Sequence, residues 1–178
     1  MQKIYTLQVR NRGEQKYIKL FKNQHSELPF TLYAPLRCMP IRRKGVVSNA
    51  TSMIFPGYIF VETVEEDSFT ACAAAFRRIP GFFRFLKNNQ NICPLAGRDL
   101  KLVLHFIRAE GAVAGLSKVY LNENSRIVVI EGPLLGLEGK IIKIDKRKGR
   151  AKIKLDLYDD SFAIDLPFEL LDRTADSL

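Results

Sequence analysis

A chain of 178 residues, 47% of them apolar, is long enough for one domain or two small ones and too apolar to remain disordered. Its 28 Lys and Arg against 19 Asp and Glu leave a formal charge of +9, which favours an anionic partner. No apolar run approaches the length of a bilayer span and no signal-peptide core opens the chain, so a cytoplasmic protein without membrane contact is expected.

The first strand is expected from Lys3 to Val9, and a turn follows from Arg10 to Gly13. Glu14 to Gln24 reads as an amphipathic helix, with Tyr17, Ile18, Leu20 and Phe21 at helical spacing. Thr31 to Ile41 looks extended, although Pro35 and Pro40 suggest an edge or irregular strand. Arg42, Arg43, Lys44 and Gly45 form a basic loop tip, and Val46 to Glu62 returns as a strand. Glu65, Glu66 and Asp67 suit the positive end of a second helix, which runs to Arg78 and stops at Pro80-Gly81. A short strand from Phe82 to Leu86, another from Asn91 to Pro94, and a helix from Asp99 to Arg108 complete a β-α-β-β-α-β order. That is the order of a ferredoxin-like α/β sandwich.

Residues 111–121, with Gly111, Ala112, Ala114 and Gly115 and no clear period, read as a linker. The charge divides there. Residues 1–121 carry 18 basic and 8 acidic residues, a net of +10, and residues 122–178 carry 10 and 11, a net of −1. Beyond the linker, Arg126 to Ile130 and Lys140 to Ile144 are rich in β-branched residues and read as strands. Gly132, Gly136 and Gly139 lie between them, where a chain must bend tightly. Residues 145–149 are a basic turn. From Arg150 to Tyr158 apolar and polar residues alternate as in a half-buried strand, and Phe162, Ile164 and Leu166 repeat the period before Pro167 stops it. Several short strands without a long helix imply a small barrel.

Gly132-Pro133, Gly136-Leu137-Glu138-Gly139 and the Lys146-to-Arg150 turn resemble the KOW motif, the signature of the barrel in NusG-type transcription elongation factors. Lys3 to Arg10, Phe55-Pro56-Gly57-Tyr58-Ile59-Phe60-Val61 and Ile79-Pro80-Gly81 resemble that family's N-terminal NGN domain, in the family's order. Ile4 stands where the family often has Trp. The resemblance implies an α+β fold: an NGN domain over residues 1–110, a ferredoxin-like α/β sandwich, then the linker and a KOW domain over 122–178, a small SH3-like β-barrel.

The resemblance also implies partners. NGN domains bind the clamp helices of RNA polymerase close to the upstream DNA. The expected polymerase-binding residues are Phe55, Pro56, Tyr58 and Phe60, because an aromatic cluster beside polar residues suits a docking hot spot. Sheet core is the competing reading of these aromatics. Arg42, Arg43 and Lys44 are the candidate DNA contact, by phosphate attraction without base readout. In the barrel, Lys140, Lys143, Lys146, Arg147, Lys148, Arg150 and Lys152 are the candidate RNA-binding residues. Leu134 stands where the general factor often has Phe, and Tyr158 matches an aromatic with which that factor contacts its partners. Residues 115–120, 132–134 and 145–151 look more like the specialised antiterminators called LoaP, which bind an RNA hairpin in the nascent leader. The alternatives are a general factor coupling polymerase to the ribosome or to Rho, and a ribosome-associated KOW protein.

Catalysis is not expected. The chain has no nucleophile elbow, P-loop, HExxH or dinucleotide fingerprint, and His25 and His105 lie far apart without a nearby acid in a motif. Cys38, Cys72 and Cys93 are widely spaced and fit neither a disulfide framework nor a metal clip, so no metal or cofactor is expected. A monomer is expected. The β-branched residues Val128, Val129, Ile141, Ile142, Ile144 and Ile153 favour a permanent barrel over a fold-switching one.

Overall fold

The computed structural model describes residues 2–64, 66–86, 92–124, 126–158 and 160–171. In chain order the elements are β1 (Lys3–Val9), α1 (Glu14–Gln24), β2 (Thr31–Tyr33), β3 (Leu36–Arg43), β4 (Val46–Met53) and β5 (Tyr58–Thr63). Next come α2 (Glu66–Ala71), α3 (Ala73–Arg78), β6 (Phe82–Phe85) and α4 (Gly97–Ile107). The remaining strands are β7 (Val113–Ala114), β8 (Ser117–Leu121), β9 (Ile127–Glu131), β10 (Ile141–Asp145), β11 (Arg150–Leu157) and β12 (Asp160–Leu170). They form two compact units, residues 1–34 with 55–107, and residues 35–54 with 108–178.

The first unit is a four-stranded sheet in the order β2-β5-β1-β6, with every pairing antiparallel. With α1 and the α2–α3 pair as its crossovers it has the expected ferredoxin-like form. β1 and β5 are central and buried almost throughout. The core is aromatic. Tyr5 stacks on Phe69 with ring centroids 3.9 Å apart, and Phe21 stacks on Phe76 at 4.4 Å. Phe85 meets both Phe69 and Phe76 edge-on, the arrangement that the ring quadrupole favours. The single helix expected through Arg78 is two short ones, parted at Cys72. Residues 92–94 are not a strand, and Asn91 lies outside the described residues. The backbone there is held instead by Leu95, whose N–H donates to the Ile4 carbonyl at 2.7 Å.

In the second unit the sheet order is β10-β11-β12-β8-β9, a small β-barrel-like sheet. The alternation read in residues 150–157 is the inward set Ala151, Ile153, Leu155 and Leu157, all fully buried with Val119, Leu134 and Leu166. Two expectations change. The stretch expected as a linker carries β7 and β8, with Ser117 and Val119 turned inward from β8. Pro167 also does not stop β12. It sits where that strand leaves β11 and begins to pair in parallel with β8, at Phe168 opposite Ser117, and a missing N–H is tolerated at such a switch.

Residues 35–54 group with this unit although they precede the expected boundary at 110. They form the β3–β4 hairpin, closed by Lys44 at φ +48° and Gly45 at φ +82°, and β3 pairs in parallel with β7. Two positive φ values at the tip give the turn whose twist matches the flanking strands. Among the described residues, no helix of the protein is long and apolar enough to cross a membrane.

Candidate nucleic-acid interface

The basic turn of the barrel is built by its acid. Asp145 ends β10, and its Oδ1 accepts the Lys148 N–H at 3.0 Å, which bends the chain back toward β11. Gly149, at φ +58°, completes the reversal; a Cβ there would lie 2.6 Å from the Phe168 carbonyl oxygen. Lys146, Arg147 and Lys148 are thereby held exposed at the tip.

Strand register extends this tip into a face. Lys143 of β10 lies opposite Lys152 of β11, which lies opposite Asp165 of β12. Asp145 likewise lies opposite Arg150. Directly opposed residues share a face, and the other face of β11 carries the core residues Ala151 and Ile153, so these charges point outward together. They surround a cavity of about 130 Å³ lined by Lys143, Asp145, Lys148, Arg150, Lys152 and Asp165.

The charges in this cavity are only loosely paired. Lys148 Nζ is 3.9 Å from Asp145 Oδ2, and Lys152 Nζ is 3.9 Å from Asp165 Oδ1, both longer than a charge-assisted hydrogen bond. Four cations against two such carboxylates leave the pocket net positive. Arg150 is the most constrained of the four. Its Nη2 donates to the Pro40 carbonyl at 3.1 Å, and its Nε is buried without a partner among the described residues. From β3, Arg37 reaches the same edge: Nη1 donates to the Asp165 carbonyl at 2.6 Å and Nε to Ser52 Oγ at 2.8 Å. Burial pulls the Arg37 guanidinium below its ordinary value, Asp165 pulls it back, and nearby Arg150 lowers it again.

Of the seven candidate RNA residues, the structure therefore brings Lys143, Lys148, Arg150 and Lys152 together around one cavity. Lys146 and Arg147 stand beside it on the turn. Lys140 does not join them; it ends a 3-10 turn (Glu138–Lys140) at the other end of β10. Arg42 and Arg43 close β3 and Lys44 is exposed in the hairpin turn.

The candidate polymerase-binding aromatics are placed differently from expectation. Phe55 is 1% exposed, Tyr58 3% and Phe60 0%; only Pro56 is on the surface. Phe55 packs edge-on against Phe60 at 5.5 Å and against Phe106 of α4 at 5.8 Å. These three rings are core, with Phe55 lying between Phe60 of β5 and Phe106 of α4, and a fully buried ring cannot itself be a docking hot spot.

Two further residues escaped the sequence reading. Glu14 was placed only as a helix residue, yet its carboxylate is fully buried and accepts the Gly57 N–H at 2.6 Å, fixing the Pro56-Gly57 bend. Asp165 enters the sequence reading only through the charge total of residues 122–178. Its signal was available in the β11–β12 hairpin, where Leu157 opposite Asp160 sets the register that brings Asp165 to Lys152. Among the described residues no group of three or more His, Cys, Asp or Glu is placed to hold a metal ion.

A ferredoxin-like sheet followed by a small barrel with a cationic face defines a two-unit α+β protein. The family described as transcription termination factor nusG matches residues 2–104, more than half of the chain, and the chain belongs to the NusG family. It is similar to the transcription termination/antitermination protein NusG of Streptococcus pyogenes, with 22% identity over 124 residues, 70% of this chain. The chain spans 66% of the length of that relative. The NusG of Thermus thermophilus is 21% identical over 134 residues, 72% of this chain and 71% of that one. A solved structure described as domain interaction in Thermotoga maritima NusG covers 94% of each chain at 17% identity, with a TM-score of 0.47.

Proposed function

We propose that this chain is a specialised NusG-type elongation and processive antitermination factor, of the kind called LoaP. Its N-terminal unit binds the clamp helices of RNA polymerase, and its barrel binds a structured RNA hairpin in the nascent leader. The observation that carries this reading is the outward cationic face of β10, β11 and their turn, which suits the phosphates of a folded RNA. Leu134 stands where the general factor often has Phe and is fully buried in this barrel, and that departure supports the specialised reading over the general one. Polymerase docking uses the exposed neighbours of residues 55–60, Pro56 first, with the buried rings shaping the surface from beneath. Arg42, Arg43 and Lys44 approach upstream DNA.

The test is crosslinking in cells, followed by purification of the chain. RNA polymerase and one class of leader RNA are expected to copurify. Replacing Lys146, Arg147 and Lys148 by Glu is expected to remove the RNA and retain polymerase. Recovery of ribosomal subunits in place of polymerase would overturn the reading, as would unchanged RNA recovery by the triple variant.

A further inference from the structure

The basic face is not uniformly basic, and that has a chemical consequence. A surface that only tracks phosphates needs cations alone, yet the cavity between β10, β11 and β12 holds two carboxylates among four cations. The carboxylates differ. Asp145 is committed to its turn, with Oδ1 taken by the Lys148 N–H and Oδ2 facing the Lys148 ammonium. Asp165 is not committed. Its carboxylate lies 3.9 Å from the Lys152 ammonium, its side chain is 34% exposed, and its backbone is fixed by the hydrogen bond from Arg37, whose charge it also attracts, to its carbonyl. It is a positioned carboxylate at the edge of a cationic pocket, beside Lys152 and in line with Lys143.

We propose that this cavity is a guanine-recognition subsite, which takes one unpaired guanosine from the RNA bound by the barrel; the proposal rests on the RNA-binding reading above. A carboxylate accepts hydrogen bonds and donates none when ionised. Only guanine places two donors side by side on its pairing edge, the N1–H and the 2-amino group, where one carboxylate can accept both. Its O6 lies on the same edge, where the Lys152 or Lys143 ammonium can donate to it. Adenine and cytosine each put a ring acceptor beside their amino group, and uracil flanks its single N–H with two carbonyls, so each sets an acceptor against Asp165. Base edges are read in RNA where the nucleotide is unpaired and can be splayed out, and an Arg plane can stack on such a base. Arg150 is held in place for that role by its bond to the Pro40 carbonyl. Lys146, Arg147 and Lys148 then follow the backbone on either side.

The experiment uses the full chain and four RNA hairpins with one common stem and a five-nucleotide loop UUXUU, where X is G, A, C or U. Affinity is read by fluorescence anisotropy at several salt concentrations. The G hairpin is expected to bind about tenfold more tightly than the other three, the scale of one good base contact. Inosine, which lacks the 2-amino group, is expected to fall between G and the rest. Asp165→Asn is expected to erase the preference for G, so that all four hairpins bind alike, and the inosine comparison needs no variant if Asp165→Asn does not fold. Equal binding of all four, falling steeply with salt, overturns the subsite and leaves RNA binding standing. Persistence of the G preference in folded Asp165→Asn also overturns it. Absence of binding to every hairpin overturns the subsite together with the RNA reading.

Discussion

The Gly57 N–H donates to Glu14 Oε1 at 2.6 Å, joining the first turn of α1 to a bend 43 residues later. The carboxylate is fully buried, and its Oε2 has no partner among the described residues. Gly57 also accepts the Val9 N–H at 2.8 Å and sits at φ +83°, so the bend is tied on both sides. Glu14→Ala leaves a buried N–H unsatisfied and is expected to cost about 1–3 kcal/mol of unfolding free energy in urea titration. Glu14→Gln keeps an acceptor oxygen and is expected to lose clearly less. Equal losses in the two variants would show that the hydrogen bond to Gly57 is not what Glu14 contributes.

Tyr17 makes a comparable link, donating its hydroxyl to the Phe76 carbonyl at 2.7 Å. Desolvation raises its ionisation well above the ordinary value of 10.0. Above pH 10 the unfolded chain releases this proton while the folded chain keeps it, so stability falls as pH rises, by up to about 1.4 kcal/mol per pH unit. Tyr17→Phe is expected to lower stability by about 1 kcal/mol at pH 7, from the lost hydrogen bond. It is also expected to flatten the decline between pH 10 and 12, as followed by circular dichroism. A variant whose alkaline slope matches the parent would locate that slope in other groups.

Phe55 and Tyr58 make a sharp contrast between surface and core. As exposed anchors they would weaken polymerase binding on truncation and leave the fold intact. Their burial instead predicts that Phe55→Ala destabilises the N-terminal unit by about 3–5 kcal/mol, the range for removing a core aromatic ring. Thermal unfolding of the variant checks this. A shift no larger than that of a surface substitution would return Phe55 to the docking surface.

What the sequence made legible followed from period and punctuation. The helical spacing of Tyr17, Ile18 and Phe21 and the strict alternation from Ala151 to Leu157 each have one structural solution, and both elements lie where they were read. The basic turn was equally plain, because Asp145 and Gly149 are turn residues around a charged tip. Long-range return of the chain was not legible. Nothing local to Phe55 announces that Phe106 of α4 will pack against it. Nor does residue spacing place the hairpin of residues 35–54 in the same unit as β12. Asp165 lay between these cases: it was readable from strand register, but not from a count of charges along the chain.

Gly136 and Gly149 separate two reasons for glycine in the barrel. Both have positive φ, +77° and +58°, so an alanine at either carries the left-handed penalty of about 1–2 kcal/mol. A Cβ on Gly136 meets nothing within 4 Å, whereas one on Gly149 would lie 2.6 Å from the Phe168 carbonyl oxygen. That oxygen is backbone, and the Phe168 N–H already donates to the Gly149 carbonyl at 2.8 Å, so neither strand can move aside without breaking this bond. Gly149→Ala is therefore expected to destabilise the barrel clearly more than Gly136→Ala in chemical denaturation. It should also weaken RNA binding, because it displaces the turn that sets Lys148 and Arg150. Equal destabilisation by the two alanines would mean that the turn relaxes around the added methyl, and the cationic face would then be less rigidly positioned than its hydrogen bonds imply.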